Sequence, residues 1–532
     1  MQKNRLHYYL YLLSICCLIF CNSCKEEPIE PDNPIVPPIV DTTSVDTTSV
    51  FLGHFESQAN ITLNPSSRMP LAAQVEVITL NEVEIEVQVL GDEPYIYTIQ
   101  DLATEHFIPV LGLYPNQLNE VLLIAKDSNN NIDTLTIEIQ TEPLPSLFPQ
   151  IDIVAKNESQ MEPGWNLCDF SYAIDNELHT QPFMFDNNGD IRWYLIYYEE
   201  HRWTATIQRL LNGNWLRGDG WRLTEYDPLG FEINTWTVPA YFGQHHDVIE
   251  MPNGNFLIAG NPQGESTILD VVIEMDRENG SMVKSWSMTD YLDVDRTALL
   301  NDGTDWFHMN SVWYVAQDNS IIVSGRNQGI CKIGYDDDEL KWILAPHQAW
   351  GDSGIDGDGF DTNDYLLTAI NDDNEPFENN VQKGLIINSD FEWVWGQHAA
   401  MVLPNGNVFV FDNGFNRNYQ GSFYTYSRAV EYEINATNKT VKQKWQYGKN
   451  LAYLHSKIIS DVDYLPQTGN ILISPGYIFD DGHSARMTEI AYPFNYVVFD
   501  AKINFTDVNS TGSGWSQADL IYRSERLSLY PN

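Results

Sequence analysis

Short apolar runs that alternate with polar residues, and that end at Asn, Gly or Pro turns, dominate this chain. The segment 83–89, VEIEVQV, has the two-residue period of a half-buried strand. Apolar runs at 121–125 and 135–139 flank DSNNN at 127–131, which predicts a hairpin. Helical periodicity is scarce throughout. Several short strands within residues 51–146 therefore predict a small immunoglobulin-like β-sandwich.

A second pattern repeats after the proline-rich joint at 143–145. Each copy has an Asp, a Gly turn and a strand that closes on Trp, clearly at 186–193, 227–236 and 276–286, and more loosely at 335–342, 389–395 and 432–445. Hairpin turns lie between the copies, at 212–213, 253–254, 318–319, 405–406 and 468–469. Four short strands per unit are typical of a β-propeller. We therefore predict an all-β protein in which a six-bladed propeller occupies residues 147–532.

The first 50 residues predict export instead of a packed domain. Lys3 and Arg5 precede an apolar segment, 8–20, that is too short to span a bilayer, and Cys24 follows a small residue. Residues 1–24 therefore resemble a bacterial lipoprotein signal with Cys24 as the lipidated residue, the alternative being an ordinary cleaved signal peptide. Residues 25–50 are rich in Pro, Asp and Thr and predict a flexible tether. We expect an outer-membrane lipoprotein of a Gram-negative bacterium, with its periplasmic or surface face left open.

The net charge limits the binding partners that this protein can have, and the cysteine content limits its disulfide bonds. The net charge is −45, from 74 acidic and 29 basic residues, so nucleic acid and anionic lipid surfaces are excluded as partners of the bulk surface. Membrane contact is expected only through the lipid anchor, and an anionic ligand would need a local cationic pocket. Four of the six cysteines lie in the leader, which leaves Cys168 and Cys331 for at most one disulfide.

One position of the repeated hairpin carries histidine in three copies. His246 and His398 each stand six residues before the proline of a PNGN turn, and His308 begins the corresponding strand of another copy. The equivalent positions elsewhere are Ala205 and Ser460, so folding alone does not require histidine there. Because the inner strands of a propeller run beside its central channel, the three histidines should converge at one mouth of that channel.

The return strand of one hairpin adds a cation. Residues 321–325 return Arg326 to the level of His308, and Asp412-Asn413 hold that level in another copy. Three imidazoles and a guanidinium suit a tetrahedral oxyanion, and imidazole is also a nucleophile or proton shuttle near neutral pH. Arg428, at a strand end, could enter the same funnel as a second cation or be solvated.

These residues also allow other interpretations. The histidines could be packing residues, as in propellers with a structural histidine, or zinc ligands, although the neighbouring arginine would repel a cation. On a strand, His245 should point away from His246. His245 is therefore the alternative site residue to His246. His347, His455 and His483 fall outside the repeated position. The acidic loop 352–364 lacks a final bidentate Glu, and no metal or cofactor is predicted.

These motifs together resemble the bacterial arylsulfate sulfotransferase family. The likeness covers nearly the whole mature chain and is carried by IPVLGLYP at 108–115, GQHHD at 243–247, WFHMNS at 306–311, SGRNQ at 324–328, WGQH at 395–398, FDNG at 411–414 and SRAVEY at 427–432. The resemblance implies a six-bladed propeller with a small β-sandwich. It also implies ping-pong sulfuryl transfer between phenols without PAPS (3′-phosphoadenosine-5′-phosphosulfate).

The resemblance also assigns roles. His398 matches the histidine that is sulfated, and His246, His308 and Arg326 match residues that hold the sulfuryl oxygens and assist proton transfer. Asn310, Asn413 and Arg428 are expected to contact the substrate. Enteric relatives carry a disulfide near the catalytic histidine, whereas no cysteine lies near His398.

The expected partners are a small phenolic sulfate donor and a phenol acceptor, and a homodimer is left open. Two further functions stay open: an aryl sulfate hydrolase with the same sulfated enzyme, and a non-catalytic surface propeller that binds glycans or proteins.

Overall fold

The computed structural model describes residues 53–56, 58–174, 176–197, 207–239, 242–296, 303–421, 426–478, 483–506, 509–512 and 517–530. The predicted signal, the Cys24 lipidation site and the tether lie outside the described residues, as does Ala205. No helix within the described ranges is long and apolar enough to cross a membrane.

The N-terminal domain is built on two long strands. Its strands are β1 (Asn60–Leu63), β2 (Ala73–Val89), β3 (Tyr95–Val110), β4 (Leu118–Asp127) and β5 (Ile132–Gln140). Strand β2 pairs with β3 along one edge, and with β1 and then β4 along the other, while its ladder with β3 shifts register between Ile78 and Val83. Buried valines and isoleucines on both sides of this register shift belong to one core. The alternation predicted for 83–89 and the hairpin across 127–131 are confirmed.

Sheets that are antiparallel except at one strand pair make up most of the rest of the described chain. The next strands are β6 (Gln150–Lys156), β7 (Trp165–Ile174), β8 (Glu177–Thr180), β9 (Phe183–Phe185), β10 (Ile191–Tyr194), β11 (Ile207–Arg209), β12 (Trp215–Gly218), β13 (Arg222–Tyr226), β14 (Glu232–Thr237), β15 (Phe242–Glu250), β16 (Phe256–Pro262), β17 (Val271–Met275), β18 (Met282–Ser287), β19 (Met309–Val315), β20 (Ser320–Gly325), β21 (Gly329–Gly334) and β22 (Leu340–Leu344).

The chain then continues through β23 (Thr368–Ala369), β24 (His398–Val402), β25 (Val408–Asp412), β26 (Arg428–Asn435), β27 (Thr440–Tyr447), β28 (Asp461–Tyr464), β29 (Ile471–Ser474), β30 (Ser484–Ala491), β31 (Tyr496–Asn504) and β32 (Leu520–Leu527). The helices among the described residues are short: α1 (Met288–Tyr291), α2 (Asn379–Gln382) and 3-10 turns at Thr362–Tyr365, Arg417–Tyr419 and Ala452–Leu454.

These strands form a propeller. The sheets are β32-β7-β9-β10 with β8 beside β7, β11 to β14, β15 to β18, β19 to β22, β24-β25-β26-β27-β23, and β28-β29-β30-β31-β6. Strands β15, β19, β24, β28 and β32, each at an edge of its sheet, contact one another in that order, as the inner strands of a propeller do. The all-β propeller is confirmed, and the count of six blades stays a prediction.

Both chain ends take part in closing the ring. The C-terminal strand β32 pairs with β7 at the inner edge of one sheet, and β6 pairs with β31 at the outer edge of another. The structure thus divides the two chain ends between two sheets, which places residues of the C-terminal strand beside the central channel.

The predicted tryptophans tie neighbouring sheets together. In three outer strands the indole nitrogen donates to a turn of the next sheet: Trp236 to the Arg277 carbonyl at 2.6 Å, Trp286 to Asp338 at 2.9 Å and Trp445 to Asn495 at 2.6 Å. A buried Trp usually needs a partner for its N–H. In these three copies the closing tryptophan of the Asp-Gly-Trp pattern therefore makes a sheet-to-sheet contact.

One predicted copy of that pattern is wrong. Residues 389–395 form no strand, and Trp395 belongs to the connection that leads into β24. This connection, 345–397, follows β22 and contains β23 and α2. It arrives at the end of the inner strand where His398 stands. Its Trp393 and Trp395 are buried by the packing of that connection, which is why they imitate the closing tryptophan of a blade.

The N-terminal domain packs directly on the propeller. Tyr530 donates to the Pro109 carbonyl at 2.6 Å and accepts from the Leu111 amide at 2.7 Å. Arg192 of β10 donates to the Gly112 carbonyl at 2.7 Å.

Cys168 and Cys331 are buried and free.

Candidate active site

The three predicted histidines and Arg326 meet in one cavity at a mouth of the central channel. The cavity measures about 470 Å³ and is lined by His245, His246, His308, Arg326, His398, Ile458 and Ile459. The imidazole centres of His246 and His308 are 5.4 Å apart. The sequence argument that placed these side chains at equivalent positions therefore agrees with the structure. His347, His455 and His483 do not line this cavity.

A repeated backbone irregularity aims these side chains into the cavity. His246 and His308 have φ of 66° and 55°, and Ala399, directly after His398, has φ of 55°. The ladders of β15, β19 and β24 all shift register at these points. A left-handed residue costs conformational energy in a strand and is common at functional sites. Here it turns the start of each inner strand towards the channel.

The prediction for His245 is wrong for the same reason. Regular alternation would point His245 away from His246. Because His246 is left-handed, the two rings lie on the same side, with centres 3.5 Å apart, and His245 also stands 6.1 Å from His308. Both histidines line the cavity.

Asn413 fixes the tautomer of His398. The Asn413 side-chain nitrogen donates to the carbonyls of Ser456 at 2.8 Å and Ile459 at 2.9 Å. Its amide oxygen therefore faces His398 Nδ1, at 2.8 Å, and can only accept. Nδ1 must carry the proton, so Nε2 holds the free lone pair. Asn413 is thus a partner of the histidine, although the sequence predicted a substrate contact.

Asp305 orients His308 in a similar way. A carboxylate oxygen of Asp305 lies 2.6 Å from His308 Nδ1, and the Asp305 backbone carbonyl accepts from Asn327 at 2.9 Å. An ionised carboxylate can only accept, so Nδ1 of His308 carries a proton and Nε2 is left to exchange one.

Burial lowers the pKa of three of the imidazoles that line the cavity. Burial, reinforced by Arg326, holds the pKa of His398 well below its usual value, against the opposing hydrogen bond to Asn413. Burial, followed by the charges of neighbouring histidines, does the same to the pKa of His246, and burial lowers the pKa of His245 to about 3. A neutral His398 keeps its lone pair available across the physiological pH range.

Arg326 supplies the positive charge of the cavity. Its backbone amide donates to the His308 carbonyl at 2.9 Å, as the hairpin argument predicted. Its guanidinium lies over the Phe415 ring, 4.5 Å from the centre, and its Nε has no hydrogen-bond partner among the described residues. Burial lowers the pKa of Arg326 and Asp305 opposes this, but arginine stays charged in proteins. Its fork is therefore available to an anion.

Arg428 does not enter the cavity, which corrects that expectation. Its Nε lies 2.8 Å from Asp412, its remaining nitrogens donate to neighbouring side chains and carbonyls, and the residue is fully buried. Arg417 reaches the same Asp412 oxygen at 3.0 Å. A buried carboxylate requires such compensation. Arg428 is therefore part of the internal support of the sheet.

Asn310 is also displaced from the predicted role. It is buried, and its side-chain nitrogen donates to the Gln397 carbonyl at 2.7 Å. It does not line the cavity. It belongs instead to a layer of hydrogen bonds below the histidines, where it joins its own strand, β19, to the residue before His398.

Residues with roles in the site were missed in the sequence. Asp305 stands three residues before His308, a spacing that could have marked it as a partner. Tyr522 stacks on His246 with ring centres 5.0 Å apart and planes 4° apart, and Arg523 binds Asp247 at 2.8 Å. No local signal identifies the last two, because their position depends on ring closure by β32.

The cavity combines a neutral nucleophilic nitrogen, a carboxylate-paired imidazole, one guanidinium and an apolar wall. This set can bind an anion bearing an aromatic ring and exchange a group and a proton with it. Within the described ranges, no three His, Cys, Asp or Glu side chains are grouped so that they could hold a metal ion.

Comparison with known proteins places this geometry in context. Residues 150–513 match the model of the family described as arylsulfotransferase (ASST), and residues 60–142 match the arylsulfotransferase Ig-like domain. Similar relatives are named arylsulfate sulfotransferase AssT. The one from Escherichia coli O6:H1 is 26% identical and that from Lelliottia amnigena 27%, each alignment covering 81% of this chain and 88% of the relative.

Among solved structures, a protein of unknown function from Bacteroides caccae aligns with a TM-score of 0.39 at 11% identity, over 68% of this chain and 98% of that one.

Proposed function

The chain belongs to the arylsulfotransferase family, and from this premise we propose that it transfers a sulfuryl group between phenols through a sulfated His398, without PAPS. The donor is a small phenolic sulfate ester and the acceptor a phenol. The observation that carries the proposal is the Asn413 contact, because it leaves His398 Nε2 as the lone-pair nitrogen of a buried, neutral imidazole.

In the first half-reaction, Nε2 of His398 attacks the sulfur of the donor. The N–S bond forms as the S–O bond to the ring breaks, and the bonding electrons leave with the phenoxide. His308, in its protonated form opposite Asp305, gives the phenoxide a proton from Nε2. Arg326 binds the equatorial sulfuryl oxygens, and its guanidinium offsets their negative charge during transfer. The sulfated ring is cationic and keeps its Nδ1–H bond to Asn413.

The second half-reaction reverses these steps with a different phenol. His308, now neutral, takes the proton of the acceptor hydroxyl, and the resulting oxygen attacks the sulfur. The N–S electrons return to Nε2 of His398, which regenerates the enzyme. His246 stays neutral because it is buried and offers hydrogen bonds to the group in transfer. Ile458 and Ile459 provide an apolar wall for the aromatic ring.

A transfer assay without nucleotide tests this function. A chromogenic aryl sulfate and a phenol are mixed with the protein, and sulfated phenol is measured. We expect product to form in proportion to released donor phenol. His398→Gln should lower the rate by at least about 10³-fold. His347→Gln is the matched control, since His347 is bound to the Leu367 carbonyl outside the cavity, and it should retain activity. Full activity in His398→Gln would refute the proposal.

The same assay separates the other functions. A hydrolase would release donor phenol at a rate independent of added acceptor. A non-catalytic glycan or protein binder would release none.

We further propose that the protein is exported and anchored by a lipid on Cys24 at the outer membrane. The support is the leader of residues 1–24 and the tether of 25–50. Labelling with a radioactive fatty acid in cells tests it, because Cys24→Ala should abolish the label.

A further inference from the structure

Arg523 occupies the channel directly below the catalytic cavity. It comes from β32, the C-terminal strand that closes the ring. One guanidinium nitrogen binds Asp247 Oδ1 and another donates to the Asn310 carbonyl, both at 2.8 Å. The second oxygen of Asp247 accepts from the Val312 amide at 2.8 Å. Asp247 directly follows His246, so this contact joins the strand of His246 to the strand that His308 begins.

The hydrogen bonds continue from Asn310 to the other two site residues. The Asn310 side chain donates to the Gln397 carbonyl at 2.7 Å, and Gln397 directly precedes His398. The Gln397 side chain then donates to the Gly325 carbonyl at 2.9 Å, and Gly325 directly precedes Arg326. A continuous path of hydrogen bonds therefore reaches a near neighbour of each of the four predicted site residues.

The chemistry of arginine suits this junction. Its planar fork binds two acceptors at fixed directions, whereas a lysine ammonium presents a point charge. The cavity around Arg523, about 190 Å³, is also lined by Asp169, Asp461, Asp463 and Glu525. Removing the positive charge would take a neighbouring cation away from each of these carboxylates and from Asp247. Geometry and charge can thus be separated only by a substitution that keeps the charge.

We propose that Arg523 is a positioning residue for sulfuryl transfer: by holding Asp247 and Asn310 it sets the spacing of His246, His308, Arg326 and His398. It does not line the catalytic cavity. The inference rests on the proposed transfer through His398. Its effect should fall on the transfer step, because a displacement of about 1 Å between reacting groups slows an enzyme by up to about 100-fold.

The test compares Arg523→Lys with Arg526→Lys. Arg526 lies on the same strand, is buried and is bound by several acceptors outside the site, among them the Glu162 carbonyl at 2.6 Å and Asn166 at 2.8 Å. Sulfation of the enzyme by a chromogenic aryl sulfate is followed in a single turnover by intact mass. We expect Arg523→Lys to slow sulfation by about 10- to 100-fold with KM changed by less than about threefold. Arg526→Lys should sulfate at the wild-type rate, even where its melting temperature falls.

The outcomes separate this inference from the function beneath it. If wild-type protein forms no sulfated enzyme, the proposed function fails and this inference fails with it. If wild-type protein is sulfated and Arg523→Lys is sulfated equally fast, only the positioning role is refuted. Equal slowing in both lysine variants would also refute it, since the loss would then follow general stability.

Discussion

Replacing Asn413 with leucine tests how His398 is held in its reactive form. Leucine has a similar volume but neither accepts nor donates a hydrogen bond. In the wild-type protein the Asn413 oxygen lies 2.8 Å from His398 Nδ1. In the variant, Nδ1 has no acceptor at that point, so the ring proton can move to Nε2 and the ring can turn. The Ile459 carbonyl also loses a donor.

The size of the effect follows from the charge of the ring. A neutral hydrogen bond contributes about 1 kcal/mol net. Once Nε2 carries the sulfuryl group the ring is cationic, and a charge-assisted bond is roughly twice as strong. About 1 kcal/mol of stabilisation is therefore specific to the transfer, which corresponds to about a fivefold change in rate. Loss of ring orientation and tautomer adds to this, so we expect kcat/KM to fall by about 10- to 100-fold.

The assay is single-turnover release of phenolate from a chromogenic aryl sulfate, with thermal unfolding measured on the same sample. Asn407→Leu is the matched control. Asn407 lies in the turn at the other end of the same hairpin, where it donates to Glu431 at 2.6 Å, and its loss should leave kcat/KM within about threefold of wild type. A folded Asn413→Leu protein with wild-type kcat/KM would refute the tautomer argument.

Three further predictions concern Asp305, Arg428 and His245. Asp305→Asn should slow transfer from donors whose phenols are weakly acidic by about 10²-fold and spare donors with acidic phenols, because His308 loses its carboxylate partner; equal slowing for both donors would contradict this. Arg428→Met should lower the free energy of unfolding in urea by about 3–5 kcal/mol, since Asp412 is left buried without that partner, while kcat of the folded protein stays within threefold. The pKa of His245 is lowered to about 3 from its unfolded value of about 6.5, so wild-type stability falls as pH drops between those values. His245→Gln should make that fall shallower by about 1 kcal/mol per unit between pH 6 and pH 5, measured by urea unfolding; an unchanged slope would refute the neutral state of His245.

The repeat pattern predicts the fold and the cavity because both depend on local periodicity. Each Asn-Gly or Asp-Asn turn fixes a hairpin register, and the register fixes which residues stand level, as Arg326 and His308 do. The same reasoning failed for His245, because a left-handed residue breaks strand alternation, and nothing in the letters His-His predicts that. It also failed at 389–395, where a buried loop imitates the Trp-closing strand.

What the sequence could not provide depends on contacts between distant segments. Arg428 and Asp412 stand opposite each other in one register pair, and only burial decides that the arginine turns inward instead of to substrate or solvent. Arg523 and Tyr522 reach the site because β32 completes the ring more than 100 residues after β24. Asp305 is the exception, since its position three residues before His308 could have been recognised in the sequence.

Covalent sulfation of His398 is the measurement that bears most directly on the proposed chemistry. The purified protein is exposed to an aryl sulfate without acceptor, and its intact mass and peptides are measured at neutral pH. We predict the added mass of one SO₃ group on the peptide that holds His398, lost when a phenol is supplied and not formed in His398→Gln. Transfer to phenol with the added group on another histidine, or with no covalent enzyme at all, would contradict the account.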